Sequence, residues 1–375
     1  CAQRALAGPA APERLCQALQ RLGAVGAPKW GGAQGGHVVS LLALVEALDR
    51  AGCLEAAFFG VAEGCLVRYA ERLDVPVGEP PRWQLPTPAS SPGDGVSDPN
   101  QPSVVWEEGH VRVLWKPAGW NVTVADKAKE GDTGDVVVSD DTCVVDHRRQ
   151  MHCWAQRQLQ SWSPIAMDSD ASHGFVHRLD GGTSGLLLCG KTYKGYATAL
   201  MQFAARRVHK DYVCLCHGYL PSKLSHFDAP LQRVGHSGAP RSVVSPQGQR
   251  ASTQILQVAH LGVPERVGSL SLLELRLHTG RLHQIRAHAS GAGYPLVGDA
   301  VYSQGLASHA RQEQLALGRA RIFLHAHRLY VEGSSSSFPH IDLLTSLPKD
   351  LQDVLVQLDV ANSHAHVVLS TLGSR

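Results

Sequence analysis

Residues 177–188 read His177-Arg178-Leu179-Asp180-Gly181-Gly182-Thr183-Ser184-Gly185-Leu186-Leu187-Leu188, and this stretch decides the fold. An arginine and an aspartate sit in a Gly-rich turn that runs directly into an apolar segment. Leu186, Leu187, Leu188 and Cys189, bounded by Gly185 and Gly190, have the continuity of a strand buried on both faces. Phe175 and Val176 fit the end of a preceding strand. Asp180 then falls on a loop between core strands, where a rigid sheet holds a reactive side chain steady. The structural alternative is an Asx-turn, in which Asp180 bonds only its own loop backbone.

A second segment, residues 275–288, favours chemistry. Leu273, Leu275 and Leu277 alternate with Glu274, Arg276 and His278, the pattern of a half-buried strand that Gly280 breaks. Leu282, Ile285 and Ala289 then share one face of a short helix ended by Gly291 and Gly293. His283 and Arg286 share another face, with Arg281 and His288 beside them. Four candidate cations at a strand-to-helix junction suit an anionic ligand or a catalytic carboxylate.

Together these segments resemble the RluA-type family of pseudouridine synthases. The family's His-Arg-Leu-Asp signature, with two variable residues, Thr-Ser-Gly and an aliphatic run, fits residues 177–188 throughout. Its Gly-Arg-x-His-Gln-(Ile/Leu)-Arg-x-His motif matches residues 280–288, and its Pro-(Leu/Ile)-(Val/Leu)-Gly-Asp-x-x-Tyr run matches 295–302. Three shorter matches keep the family's order: residues 113–120 with Lys116-Pro117, Lys210-Asp211-Tyr212-Val213, and Leu324-His325-Ala326. The resemblance covers residues 104–360. It implies an α+β catalytic domain on a mainly antiparallel sheet crossed by a central cleft. It also implies a uridine isomerase of structured RNA, rRNA or tRNA, acting as a monomer. A fold that binds RNA without catalysis is the alternative.

The resemblance assigns Asp180 as the catalytic carboxylate, Arg286 as its bidentate partner and Tyr212 as the tyrosine stacked on the target base. Arg178 is implied to fill the space left by the flipped nucleotide. Arg281 and His283 are expected on the RNA. The run Arg206-Arg207-Val208-His209-Lys210 is the best local basic patch, with Arg206, Arg207 and Lys210 as phosphate contacts; a solvated helix end is the plain alternative. Isomerising uridine oxidises nothing and donates no group, so no cofactor is expected. A glycosidase would need a second positioned acid, and Asp299, in its Gly298-Asp299 turn, reads as a structural cap.

Composition is consistent with this. The 375 residues are 43% hydrophobic and 18% charged with a net charge of only +2, so an RNA surface must be a local patch. The nine cysteines lack CxxC spacing, and Cys214 and Cys216 alternate with Tyr212 as core thiols; no metal site is expected. Scattered cysteines suit a reducing intracellular compartment: cytoplasm, nucleus or organelle. No apolar run reaches membrane-spanning length, 38–45 being the longest.

Residues 1–75 read as a helical accessory region, with stripes at Leu15/Leu19/Leu22, Leu41/Leu42/Val45/Leu48 and Phe58/Val61/Leu66/Tyr69/Leu73. Residues 76–103, rich in proline, read as a linker. The catalytic domain is expected over 104–360 and a tail over 361–375. Within the domain, 126–170 is an acid-rich insertion. A helix is expected at 193–207, strands at 211–217, 253–258 and 270–277, and a closing helix at 348–358.

Overall fold

A computed structural model describes residues 35–74, 98–122, 149–159, 163–221, 223–235, 240–262, 269–303, 321–333 and 338–360. The Leu15/Leu19/Leu22 stripe, residues 126–148 of the insertion, most of the proline-rich segment and the C-terminal tail lie outside the described residues.

Among the described residues, two helices come first, α1 (Gly35–Arg50) and α2 (Ala56–Glu71), followed by the hairpin β1 (Ser103–Glu108) and β2 (Val111–Lys116). Helix α3 (Met151–Leu159) leads through two 3-10 turns to β3 (Ser184–Gly190), α4 (Tyr193–Ala204) and β4 (Val208–His217). Three short strands follow, β5 (His226–Phe227), β6 (Leu231–Val234) and β7 (Arg241–Val244). The long antiparallel pair β8 (Thr253–Gly262) and β9 (Ser269–Leu277) precedes α5 (Gln284–Gly291). The chain closes with β10 (Leu324–Val331), β11 (Ile341–Leu344), α6 (Lys349–Leu355) and β12 (Asp359–Val360).

The main sheet runs β1-β2-β3-β10-β4-β9-β8-β12, with β11 and β5 attached to β10 and β8, and β6-β7 form a separate ribbon. Among the described strand pairs, only β3–β10 is parallel. Strand β10 keeps β4 on one side throughout. On its other side it pairs β3 at His325 and Ala326, then β11 from Arg328 to Val331. The sheet therefore forks beside the loop that carries Asp180.

The triple leucine explains why β3 sits in the middle of the sheet. Leu186 and Leu188 pack in one core with α1, α2 and α4, while Leu187 and Cys189 face the opposite core with Tyr212, Leu275 and Ile285. A strand covered on both faces reads as unbroken apolar sequence, and each buried leucine contributes about 1.5–3 kcal/mol. Phe175 forms only an isolated bridge with Cys189 rather than a strand end. Helix α4 ends at Ala204, short of the expected 207. A third core joins Val213, Leu215, Leu261 and Leu272 to Leu351 and Val354 of α6.

Helices α1 and α2 share the α4 core through Leu41, Val45, Phe59 and Leu66. Asp74, just past α2, accepts hydrogen bonds from the Tyr193 and Lys194 backbone N–H groups at 2.8 and 2.9 Å. These are orphan donors of the α4 N-terminus, where a carboxylate also meets the positive end of the helix dipole. Buried Gln202 donates to Glu63 at 3.2 Å. Ahead of β1, the Trp115 and Trp120 indoles donate to the Pro99 and Asn100 carbonyls, so the end of the proline-rich segment is tied to the sheet.

Gly185 sits at φ +135°, and a Cβ there would collide with the Ala326 carbonyl across the parallel pairing. Gly185→Ala should therefore cost about 3 kcal/mol or more from backbone strain plus overpacking. Urea unfolding checks this, and an unchanged midpoint would contradict the close β3–β10 approach.

Candidate active site

The strand pairing places three distant segments around one cleft of 530 Å³, within the size range of ligand pockets. Asp180, Arg178 and Thr183 come from the loop before β3, Lys210 and Tyr212 from β4, and Arg281, His283 and Arg286 from the β9–α5 junction. Arg206 at the end of α4, Arg233 of β6, and Leu42 and Glu46 of α1 complete its rim.

The Asp180 loop is built by its backbone. Thr183 N–H donates to the Asp180 carbonyl at 3.0 Å, and Gly119 N–H donates to Gly181 at 2.8 Å. Lys116 is fully buried at the end of β2, and its ammonium donates to the carbonyls of Pro117, Gly181 and Thr183 at 3.0, 3.2 and 2.6 Å. Arg321 grips the loop from its other side, donating to the Gly182 carbonyl at 3.1 Å and the Ser184 hydroxyl at 2.9 Å. Its Nε donates to Asp350 at 2.7 Å. The Asp180 carboxylate is thus presented by a loop anchored through two cations. Neither was expected as a site residue, although a lysine closing the apolar run Val111-Arg112-Val113-Leu114-Trp115 was the available signal for Lys116.

Burial raises the Asp180 pKa, but the charges of His283, Arg286, Arg178 and Lys116 outweigh it and hold the carboxyl below its usual range. Asp180 is therefore ionised at neutral pH. Burial pushes the Tyr212 phenol well above its usual pKa, and the charges of Asp180 and Asp211 push it further. Tyr212, 4% exposed, is a phenol beside a carboxylate. Burial lowers Lys210 to about 8.

Arg286 does not make the expected fork with Asp180. Its Nε and Nη2 donate to the two carboxylate oxygens of Asp299 at 2.9 and 3.0 Å, while Nη1 approaches Asp180 Oδ2 at 3.6 Å. Asp299 is 1% exposed, and an ionised carboxylate that deep demands a two-point partner. It also accepts the Val301 and Tyr302 N–H groups at 3.0 and 3.1 Å, which is the structural cap expected of it. One guanidinium therefore spans a structural carboxylate and the loop carboxylate.

The β9–α5 junction is tied by Gln284. Its side-chain oxygen accepts from Thr279 Oγ1 at 2.7 Å and from Arg281 N–H at 3.0 Å, and its amide donates to the Ser252 carbonyl at 2.9 Å. His283 lies just outside the helix at φ +50° rather than on a helical face with Arg286. Its Nδ1 is 3.3 Å from the Tyr302 hydroxyl, which in turn donates to the Ser242 carbonyl at 2.9 Å. His288 is not one of the cleft cations. It is 2% exposed, with Nδ1 at 3.0 Å from Thr253 Oγ1 and Nε2 donating to the Ala229 carbonyl at 2.9 Å, and burial lowers its pKa.

The basic run divides. Arg206 and Arg207 complete the α4 C-terminus, with Arg206 N–H donating to Phe203 and Arg207 N–H to Gln202. This places Arg206 at φ +53°, a left-handed position usually given to glycine, at a cost of about 1–2 kcal/mol. Arg206 lines the cleft. Arg207 does not; its guanidinium lies 3.9 Å from the Phe59 ring centre. Among the described residues, no group of three His, Cys, Asp or Glu side chains is placed to hold a metal ion.

Residues 110–291 match the profile of the RNA pseudouridylate synthase family. Ribosomal large subunit pseudouridine synthase D of Zymomonas mobilis is 31% identical over 261 residues, 69% of this chain and 73% of that protein. The chain belongs to the RNA pseudouridylate synthase family. Its members are isomerases that convert uridine in RNA to pseudouridine, as the sequence motifs imply. An uncharacterised RNA pseudouridine synthase of Chloroflexus aurantiacus is 38% identical over 208 residues, covering 55% of this chain and 60% of that one. The solved structure of human RNA pseudouridylate synthase domain containing 1 is 20% identical and superimposes with a TM-score of 0.50, covering 74% of this chain and 97% of its own. This synthase shares that fold.

Proposed function

We propose that the chain isomerises uridine in structured RNA, ribosomal RNA being the first candidate, with Asp180 as the reacting carboxylate. The observation that carries this reading is the meeting of ionised Asp180, Arg286 and Tyr212 in one cleft rimmed by cations. The N1–C1′ bond must break, the uracil must turn, and C5 must bond C1′ before its proton leaves. Attack by Asp180 on the sugar or on the uracil ring requires the ionised carboxylate that the surrounding charges maintain. Arg286, fixed by Asp299, orients that carboxylate. The Tyr212 ring offers a stacking face for the base, and its retained hydroxyl proton suits it to hydrogen bonding while Asp180 carries its charge. Arg178 stands where it can occupy the gap left by the extruded nucleotide. Arg281, His283, Lys210 and Arg206 face the RNA backbone.

The same proposal has the chain act as a monomer. The six described free cysteines support a reducing compartment. The name of the Zymomonas mobilis relative supports the choice of ribosomal RNA. Because the C5 proton is lost, purified protein should release tritium from [5-³H]uridine-labelled ribosomal RNA without added metal or nucleotide. Absence of release from every cellular RNA pool would favour the binding-only alternative.

The two arginines should separate. Arg206→Ala should weaken RNA binding and flatten its salt dependence by about 0.7–0.9 of a logarithmic unit, one phosphate contact's worth. Arg207→Ala should leave that slope unchanged and lower stability by about 0.5–2 kcal/mol through loss of its stacking on Phe59. Binding titrations at several salt concentrations, with thermal melts, read both. An equal slope change in both variants would contradict the division.

A further inference from the structure

The cleft rim is cationic except where α1 meets it. Glu46 is the one carboxylate besides Asp180 among the described lining residues. One turn on, Asp49 Oδ2 lies 3.6 Å from Arg206 Nε, with the two side chains 26% and 42% exposed. Glu46 and Arg281 line the same cleft, and Glu46 is the leading charge opposing the fall that burial causes in the Arg281 guanidinium's pKa. Glu46 further lies 3.8 Å from Arg50 on its own helix. The two arginines that flank the cleft mouth, Arg206 from the α4 terminus and Arg281 from the β9–α5 turn, therefore both face acids of α1. This helix is held by its own core residues Val38, Leu41, Leu42 and Val45, so it is a fixed wall rather than a loose arm.

We propose that α1 is a selectivity element of the RNA cleft, in which Glu46 and Asp49 compete with RNA phosphates for Arg281 and Arg206. This rests on the reading of the cleft as the RNA site. An RNA whose backbone crosses the mouth without other contacts must displace the acids and meets their repulsion within a Debye length. A folded RNA that also fills the Asp180 site has further contacts to offset that penalty. The acids thus penalise indiscriminate binding more than productive binding, the repulsive half of specificity.

The test uses the full chain and a poly(A) oligonucleotide, which has no uridine to react, beside the labelled ribosomal RNA. Asp49→Asn and Glu46→Gln are near-isosteric changes on a half-buried helix edge, and unaltered thermal melts confirm folding. Together they should tighten poly(A) binding about tenfold at low salt and steepen its salt dependence by up to about one unit per carboxylate removed. Ribosomal RNA binding should tighten less. In an Arg206→Ala background, Asp49→Asn should lose its effect, because the competition it relieves is gone. Wild-type poly(A) affinity in both acid variants, with weakened binding in Arg206→Ala, overturns the inference and leaves the RNA cleft standing. Unchanged binding in Arg206→Ala as well overturns the reading of the cleft mouth and the inference with it.

Discussion

Asp180→Asn should abolish tritium release while RNA still binds. The substitution keeps the shape of the side chain and its place in a loop anchored by Lys116 and Arg321, so fold and cleft survive. It removes the one carboxylate at the base of the cleft that Lys116, Arg178, His283 and Arg286 keep ionised. Loss of turnover by at least about 10⁴-fold is expected, the scale found when the nucleophile or its base is removed from a covalent site. Single-turnover assays at saturating enzyme, with parallel binding titrations, separate the two effects. Turnover near the wild-type rate would remove Asp180 from the chemistry.

The second large effect is at Arg286, and the Asp299 contact changes what is expected of it. Had the guanidinium forked onto Asp180, Arg286→Lys would be mainly a catalytic lesion. With Nε and Nη2 on buried Asp299, the variant also replaces a two-point cationic contact to a structural carboxylate with at most one. Arg286→Lys should lower turnover by about 10²-fold or more through misplacement of the site, and stability by about 1–3 kcal/mol through the unmade hydrogen bond. Arg286→Ala, which strands Asp299 without its counter-charge, should cost about 3–5 kcal/mol. A pH profile distinguishes positioning from general damage. Arg286 helps depress the Asp180 pKa, so removing its charge raises that pKa, and the acid limb of kcat/KM moves to higher pH. An unmoved acid limb in Arg286→Ala would show that Arg286 serves stability alone.

Much of this protein was legible in its sequence because the relevant physics is local. An unbroken apolar run between two glycines is what a doubly covered strand requires, and residues 184–190 form one. Alternation over 273–278 predicted a half-buried strand; β9 does form there, but it is buried on both faces over 270–275, and residues 349–355 supplied the closing helix after Pro348. The family resemblance carried by the motifs brought Asp180, Tyr212 and Arg286 into one hypothesis, and the fold brings them into one cleft. The residues the sequence mis-assigned share one feature, a partner far away in the chain. Arg207 and Arg206 are adjacent, yet the helix terminus sends one onto Phe59 and the other to the cleft. His288 appeared cationic until Thr253 and Ala229 were placed around it. Arg286 chose Asp299 over Asp180 because Asp299 is the more deeply buried carboxylate, and burial is set by the whole fold rather than by neighbours in sequence. Lys116 and Arg321 hold the Asp180 loop mostly through backbone carbonyls, which are the same in every residue, so sequence does not show which of them a cation will bind. Sequence thus determined the strands, the motif residues and the reaction class. Only tertiary structure decided which cation faces which carboxylate, since charge pairing depends on distance and desolvation across segments that the chain alone keeps apart.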